Sequence, residues 1–315
     1  MTRFRTYREV DPSTESRLLE QVQEQGERLR QRLARVGPVV AVASGKGGVG
    51  KSAITANLAA MLSAEGLRVG VVDADLNGPS LVRMLGAVGA RLGDDSAGVI
   101  PATGAGGVRV ISMELLQDGE DTPLQWREPG THSYLWQSSI EASALRELLA
   151  DVAWGELDTL LVDVPPGTDK IRRLLQLVPG LSGMLIVTTP GELSRSVVAR
   201  SLGLVRDAGV PVVGLICNMA GYLCPECGKR HALFPGRAPE ALTERFEVPL
   251  WAEIPFDPRM GASTDHGLPW VLEEGSGAIA DTFRELSGRF RDTLLPVESP
   301  SGKPPSADPA PGDRA

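Results

Sequence analysis

Cysteine, aromatic residues and long apolar runs are all scarce in this chain. Its 315 residues include three cysteines, and 4% of them are aromatic. An odd and small number of cysteines argues against a disulfide framework and is typical of a reducing compartment. Residues 1–17 are polar and charged, and no later apolar run reaches the length that spans a bilayer. We therefore expect a soluble, cytoplasmic protein with no membrane partner.

Positive charge is also in short supply. The formal net charge is -8 at pH 7, and the pI is near 5.1, which disfavours nonspecific attraction to nucleic acid or anionic lipid. With so few aromatic side chains, the chain also offers few surfaces on which bases could stack. These properties predict that nucleic acid is not a partner.

Lysine is the rarest of the common charged residues. The 32 basic side chains include five lysines, and two of these, Lys46 and Lys51, lie within the segment Ser-Gly-Lys-Gly-Gly-Val-Gly-Lys-Ser at 44–52. Arginine serves elsewhere as the general surface cation. A compact ammonium group is therefore expected to have a specific use in this segment.

The order of apolar runs predicts an α/β fold, in which a parallel sheet is flanked by helices on both faces. Strands are expected at 39–43, 69–72, 108–111, 159–162, 184–188, 212–216 and around 250–254, and helices at 52–65, 143–152, 193–206 and 279–294. Residues 1–37 read as a charged arm with an amphipathic helix over 11–36. Residues 38–295 then form the main domain, and the Pro- and Ser-rich residues 296–315 are predicted to be disordered.

Segment 45–52 fits a phosphate-binding loop. Gly45, Gly50, Lys51 and Ser52 match G-x-x-x-x-G-K-[ST] between a predicted strand and a predicted helix, which is the context that the motif requires. Glycines allow backbone N–H groups to converge on phosphate oxygens at the helix N-terminus. Lys51 is expected to reach the β- and γ-phosphates, and the Ser52 hydroxyl is expected to bind Mg²⁺.

Two further strands end in carboxylates. Asp73 and Asp75 follow one apolar run, and Asp163 follows another. Because ligand sites of open α/β sheets lie at the carboxyl ends of their strands, these side chains are expected near the loop. A Mg²⁺ ion needs acidic ligands, directly or through water, and a hydrolytic water needs a group that orients it.

These motifs resemble those of the deviant-loop P-loop ATPases and, within them, the Mrp/ApbC iron-sulfur cluster carriers, over residues 39–271. The resemblance implies that Lys46 reaches across a homodimer to the partner's nucleotide. It also implies that Asp75 orients the water, Asp73 lies nearer the metal, Asp163 serves Mg²⁺ through water, and the Gly167 amide senses the γ-phosphate. The implied nucleotide-binding residues are Gly45, Lys46, Gly47, Gly48, Val49, Gly50, Lys51, Ser52, Asp73, Gly167, Asn218, Pro255 and Asp257.

Within that set, the resemblance places Asn218 at the edge of the adenine base, with Pro255 and Asp257 flanking it. The sequence also departs from the family pattern in places. The second switch is one glycine shorter than the common form, so no role is transferred to Asp169. Glu128 replaces the usual glycine in a tryptophan-arginine segment, and residues 131–140 are lengthened.

Cys224 and Cys227 form a C-x-x-C pair within a loop at 217–231. A tetrahedral thiolate site needs four ligands, so one pair is two short. Spacing alone leaves a dithiol redox pair, a zinc site that recruits Cys217 and His231, or a symmetric dimer in which two pairs meet. The family resemblance implies the last arrangement, with a bridging 4Fe-4S cluster. We expect His231 to be a loop histidine and Cys217 to be buried.

The resulting hypothesis is a slow ATPase that binds ATP, Mg²⁺ and a 4Fe-4S cluster as a homodimer and transfers the cluster to apoproteins. One alternative is a ParA/MinD-like positioning ATPase, although the sequence shows no basic surface or cationic membrane helix that would mark it. The other is a nucleotide-binding regulator whose dimer is bridged by zinc.

Overall fold

The seven predicted strands all form, and they belong to one sheet. The computed structural model describes residues 24, 26–116, 134–178, 180–224, 226–227, 229–274 and 277–296. Its strands are Val39–Ser44 (β1), Val69–Asp73 (β2), Gly93–Asp95 (β3), Gly98–Ile100 (β4), Ala102–Thr103 (β5), Arg109–Ile111 (β6), Thr159–Asp163 (β7), Gly183–Thr188 (β8), Val212–Leu223 (β9), Arg230–His231 (β10) and Leu250–Phe256 (β11).

Helices connect most of these strands. They cover residues 26–33 (α1), followed by Lys51–Ala64 (α2), Leu81–Met84 (α3), Tyr134–Ala150 (α4), Thr168–Leu177 (α5), Glu192–Asp207 (α6), Ala238–Phe246 (α7), Pro258–Asp265 (α8) and Gly277–Leu294 (α9). None of the helices in the described ranges is both long and apolar enough to cross a membrane.

The sheet is mostly parallel, and its strand order brings the predicted site segments together. Within the described residues the order is β10-β9-β8-β1-β7-β2-β6-β5, and β11 pairs with β9. The pairs involving β5 and β10 are antiparallel. Strand β1 lies between β7 and β8, and β7 lies between β1 and β2. The segments that follow β1, β2 and β7 therefore meet at one edge of the sheet.

The side chains of β1 alternate between the two faces of the sheet, and each face has its own hydrophobic core. Val39, Ala41 and Ala43 belong to the core that includes buried residues of α4 to α7, whereas Val40 and Val42 belong to the core that includes buried residues of α2, α8 and α9. All six residues of β1 are buried, as expected for a strand that is covered on both faces.

The described part of the N-terminal arm packs against the main domain. Leu29 of α1 is 2% exposed and joins the first core. Arg32 Nε donates to the backbone oxygen of Ala150 at 3.2 Å, and Val36 forms a parallel bridge with Leu157. The predicted helix is confirmed for 26–33. Its predicted portion at 11–23 and the predicted tail at 297–315 lie outside the described residues.

Two predicted boundaries are wrong. Strand β9 does not end at Ile216 but continues to Leu223, because residues 217 and 218 pair with Glu253 and Ile254 of β11. Helix α4 begins at Tyr134 rather than near residue 143. The tryptophan-arginine segment with Glu128, and residues 131–133 of the lengthened stretch, lie outside the described residues.

Met219 interrupts the regularity of β9. Its φ is +54°, in the left-handed region that residues other than glycine seldom adopt. Beside it, the pairing of β9 with β11 shifts register between Ile254 and Phe256. Strand β9 therefore extends from Val212 to Leu223, but its backbone and its pairing with β11 are irregular at Met219 and the residues just after it.

Glu147 on α4 provides a test of the packing of this helix. Burial, together with the charge of Asp151, raises the pKa of its carboxyl to about 7. Because the folded-state pKa lies above the ordinary value of 4.5, the stabilising contribution of the protonated form is lost as pH rises towards and through 7. The substitution E147Q is expected to stabilise the fold by about 1–2 kcal/mol at pH 8 and by less at pH 5.

Thermal unfolding at the two pH values measures this difference. The substitution E285Q, at an exposed position on α9, serves as the control and should shift Tm equally at both pH values. The same equal shift in E147Q would contradict the assignment.

Candidate functional site

The glycine-rich segment 45–50 forms the turn between β1 and α2. Gly48 and Gly50 have φ of +75° and +79°, a conformation that glycine adopts without steric cost. A Cβ at position 50 would lie 2.3 Å from Nδ2 of Asn218, so this position also lacks the space for a side chain. The turn therefore places backbone N–H groups at the N-terminus of α2, where anions bind.

Lys51 and Asp163 form a buried ion pair beneath this turn. Their side chains are 7% and 0% exposed. Asp163 also accepts hydrogen bonds from the Ser52 hydroxyl at 2.6 Å and the Thr55 hydroxyl at 2.8 Å. A buried carboxylate is tolerated only with such partners. The acid predicted to serve Mg²⁺ thus contacts the hydroxyl predicted to bind it.

Asp73 organises the turn that follows β2. It pairs in register with Asp163 on the neighbouring strand, and its carboxylate accepts from the N–H groups of Asp75 at 3.1 Å, Ser80 at 2.8 Å and Leu81 at 3.0 Å. The predicted first switch, residues 73–80, is therefore built around this one side chain. The predicted order, in which Asp73 lies nearer the metal than Asp75, stays a prediction.

The two buried carboxylates repel each other. Burial and the charge of Asp163, partly opposed by the backbone hydrogen bonds, together raise the pKa of Asp73 to about 7. A cation beside the pair would relieve this repulsion. The carboxylates and the Ser52 hydroxyl form an oxygen-only donor set, which suits Mg²⁺.

A second charged cluster connects the two predicted switches. Glu141 on α4 accepts from Asn77 Nδ2 at 3.1 Å, from Lys170 Nζ at 2.7 Å and from the Arg173 guanidinium. Burial acts to raise the pKa of Glu141, but these partners lower it overall. Asp75 lines the same cleft. Segment 73–80 and helix α5 are thus held together through one carboxylate on α4.

Lys46 differs from Lys51 in its surroundings. It is exposed, and across the described residues its ammonium group makes no ion pair within 4.0 Å. The Ser44 hydroxyl donates to the backbone oxygen of Lys46 at 3.0 Å, which holds the start of the loop. An outward-facing cation fits the predicted role across a dimer, which stays a prediction.

Asn218 joins the loop to β9. Its Nδ2 donates to the backbone oxygen of Val49 at 2.9 Å, and the residue is 4% exposed. Its predicted contact with a base edge is not tested by this arrangement. Pro255 lies in β11, and Asp257 caps α8 by accepting from the N–H of Arg259 at 2.9 Å.

Gly167 lies at the start of α5, in the predicted second switch. Its φ is +118°, and its N–H donates to the backbone oxygen of Ser44 at 3.5 Å, the upper limit of a hydrogen bond. This weak bond leaves the amide close to the phosphate loop, where its predicted contact with a γ-phosphate stays a prediction.

The cysteine pair lies on a hairpin that extends from β9. Antiparallel pairing of β9 with β10 aligns His231 with Tyr222, and the N–H of Cys224 donates to the oxygen of Lys229 at 3.0 Å. Backbone N–H groups of Cys227 and Glu226 lower the pKa of the Cys224 thiol. This favours the thiolate, the form that binds metals.

His231 belongs to strand β10 rather than to a loop, contrary to expectation. Its Nε2 lies 3.7 Å from Sγ of Cys227, and the ligand atoms of Cys224, Cys227 and His231 all lie within 4.8 Å of one another.

Cys217 is buried, as predicted, and cannot join that group. It lies inside the sheet between Thr188 of β8 and Glu253 of β11, and burial raises the pKa of its thiol to about 12. The zinc site that recruits both Cys217 and His231 is therefore excluded.

Two residues of the site were not identified from the sequence. Thr55 follows Lys51 by one helical turn. The spacing i, i+4 places both side chains on the same face of α2, and this spacing could have indicated Thr55 as a site residue. Glu141 carries no such signal, because its partners come from segments distant in the chain and only the tertiary fold brings them together.

A glycine turn above a buried lysine-aspartate pair, at the carboxyl edge of a parallel sheet, defines a P-loop nucleotide-binding protein. The family profile described as ParA, NUBPL iron-transfer P-loop NTPase, matches residues 35–290. The chain belongs to this family.

Curated relatives support this assignment over most of the chain. An iron-sulfur cluster carrier protein of Saccharolobus solfataricus is 35% identical over 271 residues, which cover 86% of this chain and 88% of the relative. The protein of the same name from Methanocaldococcus jannaschii is 36% identical over 281 residues, which cover 89% and 91%.

Solved structures agree in fold. The nucleotide-binding protein of Archaeoglobus fulgidus, in complex with ADP and with cobalt found, is 34% identical, with a TM-score of 0.66, over 78% of this chain and 92% of that one. The cell division ATPase MinD of Pyrococcus furiosus has a TM-score of 0.56 at 23% identity, over 81% and 99%. That likeness to MinD shows the fold alone.

Thr55 allows the buried network to be tested. The substitution T55V removes the hydroxyl that donates to Asp163 and should lower the free energy of unfolding by about 1–3 kcal/mol, since a buried acceptor loses its donor. The substitution T55S keeps the hydroxyl and should cost less. Urea denaturation at constant m-value measures both. A smaller loss in T55V than in T55S would contradict the role of this hydrogen bond.

Proposed function

We propose that the protein is an ATPase that carries 4Fe-4S clusters as a homodimer and transfers them to apoproteins. The observation that carries the proposal is strand β9, which runs without a break from Asn218, bonded to the phosphate loop, to the cysteine hairpin. Family membership and the relatives named iron-sulfur cluster carrier protein support the same conclusion.

The nucleotide half of the proposal depends on the loop and the three strand-end aspartates. Residues 45–52 bind the phosphates through backbone N–H groups and Lys51, and Asn218, Pro255 and Asp257 surround the base. Ser52, Asp73 and Asp163 would hold Mg²⁺, which supplies charge neutralisation for the phosphates. The likeness to the A. fulgidus protein in complex with ADP supports an adenine nucleotide.

Hydrolysis is assigned to residues around the same cleft. Asp75 orients the attacking water, and the Gly167 amide contacts the γ-phosphate. Glu141 supports both switches by holding Asn77 and Lys170. Asn77 lies two residues after Asp75. A movement of α5 can therefore be transmitted to Asp75 through the carboxylate of Glu141.

Two features of the single chain support the dimer: a cation that faces away from its own loop, and large apolar side chains that are exposed. Lys46 faces outwards from the loop, where it can neutralise phosphate charge on a partner chain, as an arginine finger does. Large apolar side chains are also exposed at Leu193, Leu233 and Phe234. The segment that carries Leu233 and Phe234 lies next to the one that carries Leu193, because the N–H of Ala238 donates to the oxygen of Pro190 at 3.3 Å.

The cluster is the cargo of this protein. A 4Fe-4S cluster takes four thiolates, and the hairpin of each chain supplies two, Cys224 and Cys227. Cys227 is exposed and Cys224 half-buried, so two hairpins related by twofold symmetry can present four thiolates to one cluster. Ligands shared between chains respond to any movement of the interface, which allows nucleotide state to influence cluster retention.

The substitution K46A tests the dimer. It should lower ATP turnover by about tenfold or more, since a cation supplied in trans contributes strongly to phosphoryl transfer, and it should weaken nucleotide-dependent association. Steady-state phosphate release and sedimentation with a nonhydrolysable ATP analogue measure the two effects. The substitution R284A, which removes an exposed cation from α9, is the matched control. If K46A matched R284A in both assays, a role in trans would be excluded.

The substitution C224A tests the cargo. Anaerobic reconstitution of the full chain with iron and sulfide should give a brown dimer with about four iron and four sulfide per two chains, and C224A should remain colourless. The substitution C217A changes the one cysteine outside the hairpin and should keep the colour. A wild-type protein that stays colourless, or a C217A variant that loses the cluster while C224A keeps it, would refute the carrier function.

A further inference from the structure

We propose that Cys224, Cys227 and His231 form a three-ligand site within one chain for a single thiophilic divalent ion, such as Zn²⁺. The site goes beyond the proposed carrier function, because it needs neither a second chain nor a cluster. It uses the same two cysteines together with a histidine to which that function assigns no role.

The distances fit a mononuclear ion. With metal-sulfur and metal-nitrogen bonds of about 2.3 Å and 2.0 Å, tetrahedral geometry separates the sulfur and nitrogen ligands by about 3.5 Å. Sγ of Cys227 and Nε2 of His231 are 3.7 Å apart. All three ligand atoms lie within 4.8 Å of one another, so small side-chain rotations are enough to bring Cys224 into the same coordination sphere.

The backbone holds these ligands in place before any ion binds. The N–H of Cys224 donates to the oxygen of Lys229, and the antiparallel pairing of β9 with β10 fixes His231 opposite Tyr222. Arg230, between these residues, donates to the oxygen of Ala220 at 3.2 Å. These hydrogen bonds join the two strands of the hairpin next to the C-x-x-C turn. Strand pairing therefore brings the histidine to the cysteines.

A plain hydrogen bond between Cys227 and His231 would explain the 3.7 Å contact, but it gives no reason for a second thiol in the same group. The arrangement of two thiols and one imidazole is a donor set that selects zinc and similar ions. Cys227 and His231 are exposed, so an ion can enter and leave from solvent.

The coordination sphere has one open position. Cys217 is held inside the sheet, and among the described residues the ligand group at this hairpin consists of Cys224, Cys227 and His231. Sites with three protein ligands keep an exchangeable fourth position. While the ion is bound, both thiolates are committed to it and cannot ligate a cluster shared with another chain.

Cobalt(II) is the probe for this site, since tetrahedral thiolate ligation makes it visibly coloured. Anaerobic titration of the full-length, cluster-free protein should give one cobalt per chain, and sedimentation of the loaded protein should give the monomer mass. The substitution H231A should weaken cobalt binding by at least about tenfold, because ligands and their supporting groups are each worth that much or more. The substitution H266A, at an exposed histidine on another segment, should leave binding unchanged.

Three results would overturn the proposal. These are one cobalt per two chains at the dimer mass, cobalt binding by H231A equal to that of wild type, and absence of coloured cobalt binding in wild type. Unchanged circular dichroism of H231A shows that the exposed substitution leaves the fold intact. Cluster reconstitution is measured separately, so a protein that assembles the cluster but fails the cobalt test loses this inference and keeps the carrier function.

Discussion

The carboxylate of Asp163 is the point on which the nucleotide site depends. It has no exposed surface, and it accepts from Lys51, Ser52 and Thr55 on the first turns of α2. Burial of such a charge is unfavourable unless its partners are retained, so the strand that carries it and the helix that follows the loop are fixed relative to each other. The pairing of β1 with β7 then fixes the position of the glycine turn, which follows β1, relative to Asp163 at the end of β7. A phosphate-binding loop in this fold is therefore shaped by the aspartate beneath it as much as by its own glycines.

Much of this fold can be predicted from the sequence, because buried parallel strands leave a simple signal. The runs at 39–43 and 184–188 are apolar at nearly every position, and both became strands within one residue of the prediction. Strand β9 was predicted to end too early, since Asn218 and the residues after it are typical of turns. Asn218 and Tyr222 are held in the sheet by their pairing with β11, a contact between segments that are distant in sequence. Local pattern contains no information of that kind.

The same division holds within the site. The loop residues, Asp73 and Asp163 are predictable because a local motif or a strand end identifies them. The position of His231 beside Cys227 is not, since it depends on the register of a two-residue strand, β10. Likewise, the link that Glu141 makes between Asn77 and α5 depends on how α4 packs, which no spacing in the chain reveals. Motifs identify the groups that meet the ligand, whereas tertiary structure decides which groups hold them.

The left-handed backbone of Met219 has a mechanical consequence. It lies directly after Asn218, which is anchored to the loop, and five residues before Cys224. At about 3.3 Å per residue, this distance makes an arm of roughly 16 Å, so a rotation of about 10° at Met219 displaces the cysteine by about 3 Å. That displacement exceeds the length of a metal-sulfur bond, which is about 2.3 Å. If the hairpin carries an ion, as proposed, a small change of torsion at Met219 would therefore be enough to separate a thiolate from it.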